Sequence, residues 1–196
     1  MVPELLKISP FRAVVLDTWK EVENELKKNS AIRPYWSEAD LVHWMSSKIQ
    51  QGLQERRSNA VVHVAPYLGT DEGLYGRKAI VIKNFLKEYN KVTRSTSRKL
   101  APDIIVVNPK DASDFVGCVE VKLLLGTNFW ESRLSSVKDD YHRVRLLKKC
   151  KVFPESFLAV AFDPQDSARG QHKELSQKLD ALERRYRSGF VLRYGC

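Results

Sequence analysis

The sequence predicts a single mixed α/β domain, in which helices flank a central β-sheet. Three observations support this prediction. Segments with apolar residues three and four positions apart, typical of amphipathic helices, alternate with short apolar runs rich in β-branched residues, typical of strands. Hydrophobic residues make up 43% of the 196-residue chain and charged residues 29%, as in ordinary globular proteins. The linkers are too short for a domain boundary, so we expect residues 1–196 to form one domain.

The N-terminal part of the chain contains two predicted helices. Residues 11–28 repeat apolar side chains along one side, and we expect this helix, within residues 1–30, to be an extension of the domain. The second helix begins after Ser37, whose hydroxyl suits the N-cap, and Asp40 three residues later completes a capping-box-like arrangement. We expect this helix to end near residues 56–59.

The sheet is predicted from five short apolar segments, namely residues 60–65, two strands within 100–125, 156–162 and 190–194. A glycine-containing loop at 69–76, which matches neither a P-loop nor GxGxxG, follows the first strand. Residues 79–89 begin with β-branched residues but continue with helical spacing, and we expect a helix there. Two further helices are predicted at 129–150 and 171–187.

The net charge of +9 favours a polyanionic partner, nucleic acid before a membrane surface. The alternative is a basic face that is merely solvated. The longest apolar run, residues 157–162, is far too short to cross a membrane, and the N-terminus shows no secretory signal. The three cysteines form no CxxC pair, and the histidines show no metal-ligand spacing. We therefore expect a protein of the reducing cytoplasm.

The segment with the clearest chemical signal is residues 100–125, with the sequence LAPDIIVVNPKDASDFVGCVEVKLLL. It predicts two apolar strands joined by a polar turn, with Asp103 at the start of the first strand. Glu120 and Lys122 lie two apart in the second strand, so their side chains share one face. An acid and an amine in a core strand are costly unless they are paired or bind a ligand.

These three residues match the needs of phosphodiester hydrolysis. That reaction requires stabilisation of negative charge on the phosphate and an activated water, and hard divalent ions with oxygen ligands supply both. A minimal site has two or three converging carboxylates and a cation. The 16 residues between Asp103 and Glu120 are enough for two strands and a turn that bring these carboxylates together.

Simpler interpretations exist for each residue. Asp103 alone would be a turn residue after Pro102, and Glu120 with Lys122 would be an ion pair on an exposed sheet face. The apolar residues on both sides of Glu120 and Lys122 favour a buried strand instead. A second acid-x-Lys triplet, residues 25–27 in the first helix, shows how easily the bare triplet arises, and we interpret it as solvated charge.

Pro102-Asp103 followed, after 16 residues, by Glu120-Val121-Lys122 resembles the signature of the PD-(D/E)xK nuclease superfamily. The resemblance implies a restriction-endonuclease-like core of order α-β-β-β-α-β over residues 37–162, with 163–196 as a C-terminal helix and strand and 69–89 as an insertion. It implies that Asp103, Glu120 and the backbone carbonyl of Val121 bind Mg²⁺ or Mn²⁺. Lys122 would then orient or activate water, or stabilise the charged phosphate.

The same resemblance implies a further acid on the helix before the first strand. Glu38 matches that position as a metal ligand, with Asp40 as the second choice. The local alternative for Glu38 is a favourable interaction with the helix dipole.

The leading hypothesis is a metal-dependent nuclease that hydrolyses DNA, with RNA as the less favoured substrate. The alternatives are a non-catalytic nucleic-acid-binding module on the same fold, and an interaction protein whose motif is accidental. A homodimer would give a duplex-cutting enzyme its two active sites, and the sequence leaves this open. The residues expected to hold the phosphate backbone without reading sequence are Arg94, Arg98, Lys99, Arg143, Lys148 and Lys149. Arg143, Lys148 and Lys149 lie near the end of the predicted 129–150 helix, where favourable interaction with the helix C-terminus explains part of this basic cluster.

Overall fold

The structure, a computed structural model, describes residues 9–28, 37–66, 68, 70, 77–94, 96, 100–124, 130–162, 169–186 and 191–194. These residues form five helices and a five-stranded mixed sheet, which confirms the predicted α/β class. The elements are α1 (Pro10–Lys28), α2 (Glu38–Glu55), β1 (Val61–Val64), α3 (Arg77–Thr93), β2 (Ile104–Asn108), β3 (Asp111–Leu124), α4 (Trp130–Lys149), β4 (Glu155–Phe162), α5 (Arg169–Tyr186) and β5 (Val191–Tyr194).

The ambiguous segment at 79–89 is confirmed as a helix, α3, which is longer than predicted at both ends. The predicted glycine-containing loop at 69–76 lies outside the described residues, apart from Thr70. Elements α2, β1, β2, β3, α4 and β4 follow the expected order α-β-β-β-α-β, with α3 inserted between the first two strands. Within the described residues, no helix combines the length and apolar character needed to cross a bilayer.

The strands lie in the sheet in chain order, β1-β2-β3-β4-β5. The first three pair antiparallel, whereas β4 is parallel to β3 and β5 is parallel to β4. Parallel neighbours require a crossover connection, and α4 and α5 provide the two that this sheet needs. The sheet therefore joins an antiparallel half, β1 to β3, to a parallel half built from strand–helix–strand units.

An irregularity in β3 sets the direction of its side chains. Val107 of β2 pairs with Phe115, but Val106 pairs with Gly117, so β3 carries one extra residue here. Such a bulge exchanges the two faces for every residue beyond it. After the bulge, Cys118 packs with α3 and the end of α4, whereas Val119 packs with α1 and α2. By strand alternation, Glu120 and Lys122 lie on the Cys118 face.

Strand β3 extends well beyond β2. The first residue of β2, Ile104, pairs with Val119, and the rest of β3 to Leu124 pairs only with β4 among the described strands. Along this open edge, the backbone N–H and C=O groups of Val121 and Leu123 point towards the position that a longer β2 would occupy. Buried backbone groups need hydrogen-bond partners. The candidate site supplies them.

Candidate active site

Asp103 lies immediately before β2. Its side chain occupies the position beside β3 that the backbone of a longer β2 would fill. Its Oδ2 accepts a 2.7 Å hydrogen bond from the backbone amide of Val121. Its own carbonyl accepts a 2.7 Å hydrogen bond from Ala65 N, which ties this turn to the end of β1. In a strand, the N–H and C=O of one residue point the same way. The carbonyl of Val121 therefore lies on the same edge as the Asp103 carboxylate.

Glu38 binds the next amide along this edge. Its Oε2 accepts from Leu123 N at 3.4 Å, and its Oε1 accepts from Lys122 Nζ at 3.0 Å. The start of α2 fixes Glu38, because the Ser37–Asp40 capping box is fully formed. Asp40, the second choice from the sequence, is exposed and bonded to Ser37, whose backbone and hydroxyl hydrogen bonds lower the pKa of Asp40.

The side chain of Glu120 is 1% exposed and lies beneath helix α4. Its Oε1 accepts a 3.2 Å hydrogen bond from Arg143 Nη1. Burial raises the pKa of Glu120, the charge of Arg143 opposes that rise, and the carboxylates of Asp103 and Asp140 add to it. Three acidic groups are therefore close enough to influence one another electrostatically. The alternative of an exposed Glu120–Lys122 ion pair is wrong, since each binds other residues.

Lys122 is held between two helices. Its ammonium donates a 3.0 Å hydrogen bond to Glu38 of α2 and forms an ion pair with Asp140 of α4 at 3.3 Å. Burial alone would lower the pKa of Lys122, but the charges of Asp140 and Glu38 outweigh it and raise the pKa above the usual lysine value. Lys122 is thus an ammonium ion at neutral pH.

The sequence analysis did not identify Asp140. Its side chain is 5% exposed, and its Oδ1 lies 3.2 Å from Arg143 Nη1, one turn further along α4. A sequence signal was present, because Asp140 falls three residues after Val137 and four before Val144, which are both buried. An acid within an apolar helical stripe is rarely buried without a partner. Burial raises the pKa of Asp140, and the charges of Lys122 and Arg143 oppose the rise.

The predicted phosphate-binding residues separate into three groups. Arg143 lies inside the site, with its side chain 26% exposed and its guanidinium over the ring of Tyr89. Arg94, which follows α3 with a left-handed φ of 55°, and Lys148 and Lys149 in the last turn of α4 are exposed on the surface. Arg98 and Lys99 lie outside the described residues.

The oxygen donors suit a hard divalent cation, although the geometry differs from the expected ligand set. Among the described residues, no three His, Cys, Asp or Glu side chains have metal-ligand spacing, so Glu38 does not complete a group with Asp103 and Glu120. The carboxylates of Asp103 and Glu120 and the carbonyl of Val121 still offer oxygen ligands only, the type that Mg²⁺ and Mn²⁺ prefer.

The charges of the cluster agree with a divalent cation. Four acidic groups, Glu38, Asp103, Glu120 and Asp140, surround the two cations Lys122 and Arg143. The acidic groups outnumber the cations by two, and a bound divalent cation would favour the ionised forms of Glu120 and Asp140, whose pKa values burial raises. The oxygen donors and the acidic character of the cluster are therefore compatible with such an ion.

Comparison with known proteins adds one weak likeness. No family model matches the sequence, and no curated protein matches it. Among solved structures, the crystal structure of the Type IIF restriction endonuclease Bse634I with cognate DNA is similar, at 10% sequence identity and a TM-score of 0.32. The similarity covers 79% of this chain and 75% of that chain.

Proposed function

We propose that this protein is a metal-dependent nuclease that hydrolyses phosphodiester bonds of DNA. The observation that carries the proposal is the hydrogen bond from Val121 N to the Asp103 carboxylate. It brings the Asp103 carboxylate to the strand edge that also carries the carbonyl of Val121. Val121 is the residue between Glu120 and Lys122. Asp103, Glu120 and the Val121 carbonyl would hold Mg²⁺ or Mn²⁺, which when bound supplies charge stabilisation at the phosphate and a more acidic water.

Lys122 would act as a fixed cation and hydrogen-bond donor. An ammonium group has three N–H donors, of which Glu38 accepts one, while Asp140 Oδ2 lies 3.3 Å from the nitrogen as an ion-pair partner. A donor that Glu38 does not use would bind a phosphate oxygen or orient the attacking water. Because its pKa is raised, Lys122 is poorly suited to remove a proton from water at neutral pH. The role of Glu38 in this proposal is to position Lys122 and the end of β3.

The exposed cations Arg94, Lys148 and Lys149 would bind the phosphate backbone without reading sequence. Such contacts release counter-ions, so binding must weaken steeply as the salt concentration rises. A salt titration of binding to a labelled duplex therefore checks this part of the proposal.

Cleavage of labelled DNA in Mg²⁺ or Mn²⁺ tests the catalytic proposal. We expect metal-dependent cleavage by the wild-type protein, and its loss in both Asp103→Ala and Lys122→Ala. The chain offers a matched control in Glu25 and Lys27, which have the same types and spacing but lie on helix α1. Glu25→Gln and Lys27→Ala should cleave as the wild type does. Activity that survives both Asp103→Ala and Lys122→Ala would refute the site.

A second candidate is a non-catalytic nucleic-acid-binding module. The ion pair between Glu120 and Arg143 favours it, because it neutralises the buried carboxylate within the protein. Calorimetric titration with Mn²⁺ separates the two candidates. A nuclease should bind Mn²⁺ in a way that Glu120→Ala removes, and a binding module should not. If neither DNA nor RNA binds at low salt, both candidates fail.

A further inference from the structure

Arg143 lies at the centre of the acidic cluster, where it contacts both Glu120 and Asp140. Its Nη1 lies 3.2 Å from Glu120 Oε1 and 3.2 Å from Asp140 Oδ1. Its Nη2 donates to the hydroxyl of Tyr89 at 3.4 Å, and its guanidinium carbon lies 5.6 Å from the centre of the Tyr89 ring. A single arginine thus connects helix α3, helix α4 and strand β3.

The three contacts of Arg143 differ in whether they can persist when its side chain moves. Asp140 precedes Arg143 by one helical turn, so that pair can persist while the side chain moves. Tyr89 restrains the guanidinium through both its hydroxyl and its ring face. The contact with Glu120 is the one that crosses from the helix to the sheet. If it were released, Arg143 would still be held at the site by two partners.

Glu120 is also a ligand in the proposed metal site. A divalent cation on its carboxylate would share that group with a guanidinium 3.2 Å away, and the two positive charges repel each other. The carboxylate is 1% exposed, so water screens this repulsion weakly. The side chain of Arg143 is 26% exposed, which gives it access to a ligand arriving from solvent.

We propose that Arg143 is an internal counter-ion of Glu120 that competes with the divalent cation, and that cation binding turns its guanidinium to a substrate phosphate. Asp140 and Tyr89 keep the guanidinium at the site during this exchange. The planar fork of arginine suits bidentate contact with phosphate. The inference rests on the proposed function, because it takes Asp103 and Glu120 as the metal ligands. It adds a role for Arg143 that links metal binding to substrate binding.

The first test measures Mn²⁺ affinity by calorimetry, without DNA and without cleavage. A single nearby charge changes the proton affinity of a carboxyl group by about 10- to 1,000-fold. We therefore expect Arg143→Gln, which removes the charge, to bind Mn²⁺ about tenfold or more tightly than the wild type. Arg143→Lys keeps the charge and should stay close to the wild type. Arg184→Gln, at an exposed arginine on α5, is the matched control and should not change the affinity.

The outcomes separate this inference from the proposed function. If Mn²⁺ binding requires Glu120 but Arg143→Gln leaves the affinity unchanged, the counter-ion inference fails and the metal site stands. If Glu120→Gln binds Mn²⁺ as tightly as the wild type, or no variant binds it, both fail. Arg143→Lys also guards against a folding defect, since an affinity that follows charge rather than thermal stability supports the inference.

The second test measures DNA affinity by fluorescence anisotropy, with and without Ca²⁺, a hard cation that takes the same oxygen ligands. If cation binding turns Arg143 to the phosphate, Ca²⁺ should increase the affinity of the wild type more than that of Arg143→Gln. Arg184→Gln should show the same Ca²⁺ effect as the wild type. An equal Ca²⁺ effect in Arg143→Gln and wild type would overturn the link between the cation and substrate binding.

Discussion

The backbone amide of Val121 donates a 2.7 Å hydrogen bond to the carboxylate of Asp103, 18 positions earlier in the chain. This contact explains why the spacing between the acids matters. Strand β2 ends its pairing at Ile104, so Asp103 completes the edge of β3 with its side chain. The acid thereby comes to lie beside the strand that carries Glu120 and Lys122. A hairpin of different length would break this register.

Replacing Asp103 by asparagine should separate its structural role from its chemical one. The amide oxygen of Asn can still accept from Val121, but the negative charge is lost. Changes to groups that merely support a metal ligand cost about 10- to 100-fold in affinity or activity, and loss of the ligand charge should cost more. We expect Mn²⁺ affinity and cleavage rate both to fall by more than about 100-fold. Unchanged Mn²⁺ affinity in a folded Asp103→Asn protein would contradict the ligand role.

Asp140→Asn should affect catalysis through Lys122. The variant loses a carboxylate 3.3 Å from the Lys122 ammonium, but Glu38 remains bonded to it. We expect kcat to fall by about 10- to 100-fold. The KM for DNA should change less, because the Asn oxygen can still accept from Arg143, which Tyr89 also holds. A kinetic comparison with Asp139→Asn, at the neighbouring half-buried acid on α4, provides the control. Equal effects of the two variants would argue against a specific role for Asp140.

Asp140→Asn should also change the pH dependence of the cleavage rate. The charges of Asp140 and Glu38 raise the pKa of Lys122, and the proposed role of Lys122 requires its protonated form. Wild-type activity should therefore show no loss from Lys122 up to the ordinary lysine pKa of about 10.4. Removal of the Asp140 charge lowers the pKa of Lys122, so the alkaline loss of activity should begin at a lower pH in Asp140→Asn. A pH–rate profile whose alkaline side does not move would contradict this assignment.

The helix start that positions Glu38 can be tested through stability. Ser37→Ala removes the N-cap, and we expect the free energy of unfolding to fall by about 1 kcal/mol. Hydrogen bonds from Ser37 lower the pKa of Asp40. The stabilisation by ionised Asp40 is thus complete above the ordinary carboxyl pKa and is lost as pH falls through the lowered one. Urea denaturation should show a smaller Ser37→Ala defect in acid than at neutral pH.

Ser47→Ala, at an exposed position within the same helix, is the control for that experiment. Alanine is favoured over serine in a helix interior, so this variant should be as stable as the wild type or slightly more stable. If both serine variants lose the same stability, the capping explanation is wrong.

The parts of the fold that the sequence predicts are those that depend on patterns within one element or one hairpin. The apolar stripe of α1 and the Ser37–Asp40 cap of α2 are patterns within one helix. The placement of Asp103 beside Val121 depends on a short hairpin, whose strands were visible as apolar runs. The extra residue in β3 was not predicted, because nothing in FVGCV distinguishes a bulge from regular alternation.

The helix α4 side of the site was missed for a different reason. Asp140 and Arg143 meet Glu120 and Lys122 only through packing of α4 on the sheet, which no local pattern fixes. Arg143 lies among the basic residues near the end of α4, and this pattern groups it with the surface cations Lys148 and Lys149. The buried position of Asp140 in the helical stripe was the available signal. A charged residue within an apolar helical stripe thus indicates a buried partner.

Gly117 provides a test of the packing that supports β3. A Cβ added there would overlap the ring of Phe11, which is 2% exposed in the core. Overpacking of this kind costs about 1–3 kcal/mol, so Gly117→Ala should lower the free energy of unfolding by about that amount. Adding Phe11→Leu should recover part of the loss, because the two residues are in contact. Additive effects in chemical denaturation would contradict this contact.

Gly52→Ala is the control for Gly117. Its added Cβ would lie 3.0 Å from a methyl group of Val14, a tight but softer contact, and Gly52 lies within helix α2. Alanine gains about 1 kcal/mol over glycine in a helix interior, which should offset much of the crowding. We therefore expect Gly52→Ala to change stability much less than Gly117→Ala.

We propose that Asp103, Glu120 and the Val121 carbonyl hold one divalent cation. Anomalous scattering from crystals grown with Mn²⁺ tests it most directly. We predict a single strong peak at this strand edge, about 2.0–2.4 Å from an oxygen of each of the three residues. A peak at another acidic group, such as Asp17 and Glu21 between α1 and α2, with none at Asp103 and Glu120, would contradict the account.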